Sequence, residues 1–71
     1  MHKRPYVQIL GYVDKHNNTY TLKSRYFEGN EEPLKEELEF LSLESLLAGI
    51  KRCVKHAKRL TYDYDVDLIV Y

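Results

Sequence analysis

An internal disulfide is closed to this chain: Cys53 is its single cysteine. One cysteine closes no internal bridge, which argues against a secreted, disulfide-stapled scaffold and for a reducing, cytoplasmic setting. Tryptophan is absent and glycine and proline are scarce; Gly11, Gly29 and Gly49 stand isolated, so there is no Gly-rich loop to cradle a phosphate. No apolar run nears the roughly 18 residues of a membrane span. The opening Met1-His2-Lys3-Arg4 has the basic character of a leader, but Gln8, Gly11 and Asp14-Lys15-His16 interrupt the apolar residues after it, and no leader is expected. Net charge is missing as well, because 11 Lys and Arg balance 11 Asp and Glu, and with it the strongly basic footprint of a dedicated duplex-DNA binder.

What remains is enough for one domain spanning residues 1–71. Such a chain buries only about 60% of the surface its unfolded form exposes, and domains of this size often lean on a metal, a disulfide or a partner subunit. Seven tyrosines suit half-buried positions such as sheet rims and binding surfaces, since each ring carries a hydroxyl that wants water or a partner. The charges are segregated along the chain. Residues 1–27 carry five cations and one acid, 28–50 seven glutamates and one lysine, 51–60 five cations, and 61–71 three aspartates.

Tyr6 to Val13 is apolar and β-prone, and Thr19 to Phe27 alternates Tyr20, Leu22, Ser24 and Tyr26 against Thr19, Thr21, Lys23 and Arg25, so both segments are expected as strands. Asn17-Asn18 predicts a two-residue type I′ hairpin that pairs His16 with Thr19. This register puts Val7, Ile9 and Val13 on one face with Tyr20, Leu22 and Tyr26, and Tyr6, Leu10 and Tyr12 on the other with Lys23 and Arg25; the first set is the expected core. Leu34, Glu36, Leu38 and Phe40 alternate like a strand while Leu34, Leu38 and Leu41 also fit a helix; a loop followed by a short strand near Glu37 to Leu41 is preferred. Ser42 reads as the N-cap of a helix whose buried stripe is Leu43, Leu46, Leu47, Ile50, Cys53, Val54, Ala57 and Leu60. Tyr64, Val66, Leu68 and Val70 alternate with Asp63, Asp65, Asp67 and Ile69 in a last strand with one buried and one charged face. The order is β-β-(β)-α-β, an α+β fold with a small, mainly antiparallel sheet and one helix packed on one face.

Candidate chemistry is sparse. Asp63, Asp65 and Asp67 copy the first three ligand positions of a calcium loop, but Leu68 stands where a turn glycine belongs, and as strand residues they point at solvent and discourage edge pairing. Cys53 and His56 lie one helical turn apart, as zinc ligands or a thiol and its base do; His2 and His16 are too scattered to complete a zinc set, and Cys53 fits the buried stripe. No metal, no cofactor and no catalytic residue is assigned, and no enzyme is expected.

Two surfaces suit binding. Tyr6, Leu10 and Tyr12 with Lys23 and Arg25, in a register that sets Tyr12 opposite Lys23 and Leu10 opposite Arg25, form an aromatic and cationic sheet face; Glu31, Glu32 and Glu36 belong to the acidic segment beside it. These residues suggest a small accessory, regulatory or inhibitory protein that docks on a larger protein partner, or a homodimer held through the sheet face. Lys51, Arg52, Lys55, Lys58 and Arg59 cover the helix away from its stripe, and the competing expectation is an RNA or single-stranded DNA binder that uses them with the sheet face. Whether the acidic and basic segments neutralise each other in space or lie on opposite sides separates the two.

Overall fold

The computed structural model describes residues 4–29 and 32–71. Strands β1 (Tyr6–Asp14), β2 (Thr19–Phe27) and β3 (Leu34–Phe40) precede helix α1 (Leu43–Arg59) and strand β4 (Asp63–Val70). They form one four-stranded sheet in the order β3-β2-β1-β4. β2 is antiparallel to β1 and β3, whereas β4 runs parallel to β1, so the sheet is mixed. The crossover from β3 through α1 makes the parallel pairing possible, since parallel neighbours need a long connection.

The β1–β2 hairpin differs from the two-residue turn expected. Asp14 pairs with Thr19, leaving a four-residue loop, Lys15 to Asn18. A type I′ turn needs positive φ at both central residues; here Asn18 has φ 52° and Asn17 is not left-handed. Asp14 organises the loop instead, its Oδ1 accepting the backbone amides of His16 (3.0 Å) and Asn17 (3.2 Å) and its Oδ2 the Asn17 side-chain amide (2.9 Å). The shift in register is two residues, an even number, so every side chain keeps its expected face.

Val7, Ile9 and Val13 are buried with Leu22 under α1, and Tyr20 and Tyr26 pack against them. The third strand begins at Leu34, right after Pro33, three residues earlier than expected, and ends at Phe40. Ser42 is the N-cap, its hydroxyl accepting the Ser45 amide at 3.1 Å, and Glu44 in the first turn and Lys58 and Arg59 in the last suit the helix dipole. Of the expected stripe, Leu46, Ile50 and Ala57 are buried and Cys53 and Val54 half-buried; Leu43, Leu47 and Leu60 are exposed. Gly49 joins the buried side because a Cβ there would lie 2.6 Å from the Phe40 ring.

The larger departure is β4. Its expected buried face, Tyr64, Val66, Leu68 and Val70, pairs with Val7, Ile9, Gly11 and Val13 and so does turn toward the helix, yet all four are exposed. The reason is width. A helix about 10–12 Å across spans about two strands at 4.7–4.9 Å spacing, and α1 sits over β1 and β2, where the buried residues are. On the far side Leu34 and Leu38 of β3 are left uncovered in the same way.

Ile50→Ala removes a nearly buried side chain and should lower unfolding stability by about 2–5 kcal/mol. Leu47→Ala, on the same expected stripe but at a site 40% exposed, should lower it by about 1 kcal/mol or less. Urea denaturation of both variants measures the difference, and equal losses would mean that α1 is rotated on the sheet.

Candidate functional site

The sheet face opposite α1 gathers Tyr6, Leu10, Tyr12, Lys23 and Arg25, as the faces require, but with other neighbours than expected: Tyr12 lies opposite Thr21, Leu10 opposite Lys23 and Arg25 opposite Gln8. Its polar groups engage one another. The Tyr6 hydroxyl donates to Asp65 at 2.5 Å, and its ring tilts against Phe27 at 5.7 Å. Tyr12 stacks on Tyr71 at 6.3 Å, and Lys23 sits 5.1 Å over the Tyr12 ring while its Nζ lies 3.6 Å from Glu37. All three β1 residues are half-buried, so this face offers less free apolar surface than the sequence suggested.

The acidic residues do not join that face as one set. Glu31 lies outside the described residues, and Glu32 is exposed just before β3. Glu36 pairs with Ser24 and therefore turns to the helix side, where its charge bears on Cys53 and Tyr26. Burial, and then the Glu36 carboxylate, push the Cys53 thiol above its ordinary range, the reverse of what an attacking thiolate needs. His56 is exposed. Asp63, Asp65 and Asp67 stand exposed along β4, with Arg4 3.6 Å from Asp63. Among the described residues no three His, Cys, Asp or Glu side chains converge on a metal position. No described helix is long and apolar enough to cross a membrane.

The helix side holds what sequence reasoning missed. A Cβ on Gly11 would touch Ile50 and Leu68, whereas one on Gly49 would touch Phe40 and Leu22, so the Ile50 flank of α1 faces β4 and the Gly49 flank faces β3. Leu43 and Leu47 share the Ile50 flank at helical spacing. Beside the helix, therefore, lies a step with an apolar floor of Tyr64, Val66, Leu68 and Val70 and an apolar wall of Leu43 and Leu47, each between 36% and 51% exposed. The signal was present in the sequence: four apolar positions in β4, and only one helix to cover four strands. On the β3 flank a groove of about 380 Å³ runs between Leu38 and Phe40 on the strand and Ser45, Gly49 and Arg52 on the helix.

Lys51, Arg52, Lys55, Lys58 and Arg59 are all exposed on the outer side of α1. Among the described residues the ion pairs are Arg4 with Asp63 and Lys23 with Glu37, and none involves the helix. The chain matches no family model, no curated protein and no solved structure; what defines it is a mixed four-stranded sheet with one helix and two uncovered margins.

Three tyrosines have hydroxyl pKa values above the ordinary range. Tyr6 is raised by its hydrogen bond to Asp65, Tyr62 by its bond to Glu28 and Tyr26 by burial. The stability these groups confer is fully present below the unfolded tyrosine value of about 10 and is lost as pH rises through their raised folded values. Spectrophotometric titration should show a late-ionising fraction of tyrosinate in the folded protein, and Tyr6→Phe with Tyr62→Phe should flatten the alkaline fall in stability. An alkaline limb unchanged in that double variant would mean neither bond persists in solution.

Proposed function

We infer that this chain is a small non-enzymatic interaction protein that docks through the helix-side margin of β4, and that the occupant of this margin is a second copy of itself. The observation that carries the reading is the apolar step formed by Tyr64, Val66, Leu68 and Val70 with Leu43 and Leu47. Contiguous apolar surface of this kind marks a protein contact. The whole molecule is correspondingly open. A compact monomer of 8.5 kDa exposes about 4,700 Å², and this chain exposes 5768 Å². Its radius of gyration is 13.0 Å, against about 11 Å for a compact domain of this length. The surplus is comparable with the roughly 800 Å² per partner that a standard interface buries.

The mode of docking is set by charge. Pairing two β4 edges in one continuous sheet, with both helices on the same side, would set Asp65 against Asp67 of the mate, and like charges directly opposite are destabilising. Face-to-face packing avoids this. The step beside α1 is about one helix deep, close to the 10 Å spacing of stacked sheets, so the β4 margin of the mate fits over it while the aspartates stay in water. A protein that works through a contact surface of this kind acts by occupying a partner or by assembling, which suits an accessory or inhibitory role.

Light scattering at micromolar concentration should give twice the 8.5 kDa chain mass. Val66→Glu or Leu47→Glu should yield a folded monomer, and Leu10→Glu on the opposite sheet face should leave the dimer intact. A monomeric wild type would transfer the margin to a different protein; dissociation by Leu10→Glu alone would return the contact to the open face.

A further inference from the structure

The segregation of charge by layer has a use beyond protein contact. At 100° per residue, Lys51, Arg52, Lys55, Lys58 and Arg59 fall within an arc of about 120° centred on Lys55, and Leu46, Ile50, Cys53 and Ala57 occupy the opposite arc. The five cations form a stripe about 12 Å long at 1.5 Å rise per residue. All five are exposed, and among the described residues none is in an ion pair. Of the carboxylates, Glu37 and Glu39 pair with Lys23 and Thr21, and Asp63, Asp65 and Asp67 with Tyr6, Gln8 and Leu10, which places these five on the sheet face turned away from the helix; Glu36 turns to the helix side, and Glu44 lies in the first turn of α1, about two turns before Lys51. The helix, about 10–12 Å thick, separates the five on the sheet face from the cations, more than the Debye length of about 8 Å at physiological salt. A polyanion approaching the C-terminal half of α1 therefore meets five clustered cations, with Glu44 about 10 Å back along the helix, despite the chain's neutrality.

We propose that the outer face of α1 binds the phosphate backbone of double-stranded nucleic acid. Single-strand binders need a series of aromatic platforms on which successive bases stack, and among the outward residues of α1 from Lys51 to Arg59 His56 is the one ring. Five of the seven tyrosines are on the sheet, Tyr6 and Tyr12 on the face away from this stripe. Within the stripe, Arg52 and Arg59 are the side chains able to reach a guanine edge bidentately, and α1 contains no Asn or Gln for adenine. What the helix offers is a row of cations on a rigid rod, suited to neutralising successive phosphates. This site is distinct from the β4 margin, where Leu43 and Leu47 lie nearer the N-terminal end of the helix.

The test is fluorescence anisotropy with a labelled 20-base-pair DNA duplex, the matching RNA duplex and the single strand, titrated from low salt upward. Both duplexes should bind more tightly than the single strand. Log affinity against log salt should fall with a slope of about −3 to −4.5, corresponding to between three and five neutralised phosphates. Lys55→Gln with Arg59→Gln should reduce the slope by about 2 and weaken binding at low salt by tenfold or more; Lys51→Gln with Arg52→Gln should act alike, and Lys23→Gln with Arg25→Gln on the sheet should have no effect. Circular dichroism confirms that the variants are folded, as expected for exposed positions. Absence of duplex binding at low salt, preference for the single strand, or affinity indifferent to both helix pairs would each overturn the proposal. Because Val66→Glu leaves the basic stripe untouched, duplex binding by that variant separates this site from the assembly surface.

Discussion

Ile9 and Leu46, both fully inaccessible to solvent, lie in the one core cluster between α1 and the sheet, and the remaining structure is arranged around that cluster. Val7, Val13, Leu22, Ile50 and Ala57 complete a core only one helix wide. Because a helix spans about two strands, β1 and β2 are sealed and β3 and β4 are held mainly by their backbone ladders to the sealed pair. Gly11 and Gly49 let the layers close: a Cβ on Gly11 would lie 2.9 Å from Ile50 and Leu68, and one on Gly49 2.6 Å from Phe40. The uncovered margins result from this narrow core, as does the open shape of the monomer.

The same layering arranges the charge. Alternation along β3 and β4 sends Glu37, Glu39 and the three aspartates to one face of the sheet, while the 3.6-residue repeat of α1 sends its cations to the far side of the other layer. Apolar residues of these elements face each other between the two. Neutral composition is thus compatible with a basic surface and an acidic one on the same small molecule. The sheet face softens its own charge through local contacts, Tyr6 with Asp65 and Lys23 with Glu37 and the Tyr12 ring, whereas the helix cations have no such neighbours among the described residues.

Periodicity made much of the fold legible in the sequence. Alternation in β1 and β2 identified both strands and their inward faces, and the error of two residues in the hairpin left those faces intact because the side-chain period of a strand is two. Ser42 and the stripe from Leu46 to Ala57 identified the helix, its start and its inner side. Local preference reached its limit where distant parts compete for the same side chains. Asn17-Asn18 suits a tight turn, but the Asp14 carboxylate gathered the loop's donors and fixed a longer one.

Only the tertiary structure decided which apolar residues are buried. Leu47 and Leu46 are neighbours on the same expected stripe, yet Leu46 is sealed and Leu47 is 40% exposed, because α1 turns its other flank, that of Gly49, toward Phe40. Val66 alternates as regularly as Ile9, its partner across β1 and β4, but lies beyond the reach of the single helix. Sequence by itself determined the element types, the faces of the strands and the cationic side of the helix, all of which depend on spacing along the chain. Strand order, the parallel placement of β4 at the edge and the placing of Glu37, Glu39 and the β4 aspartates on the face away from the helix cations depend on which segments meet across the sheet, and spacing along the chain does not encode that.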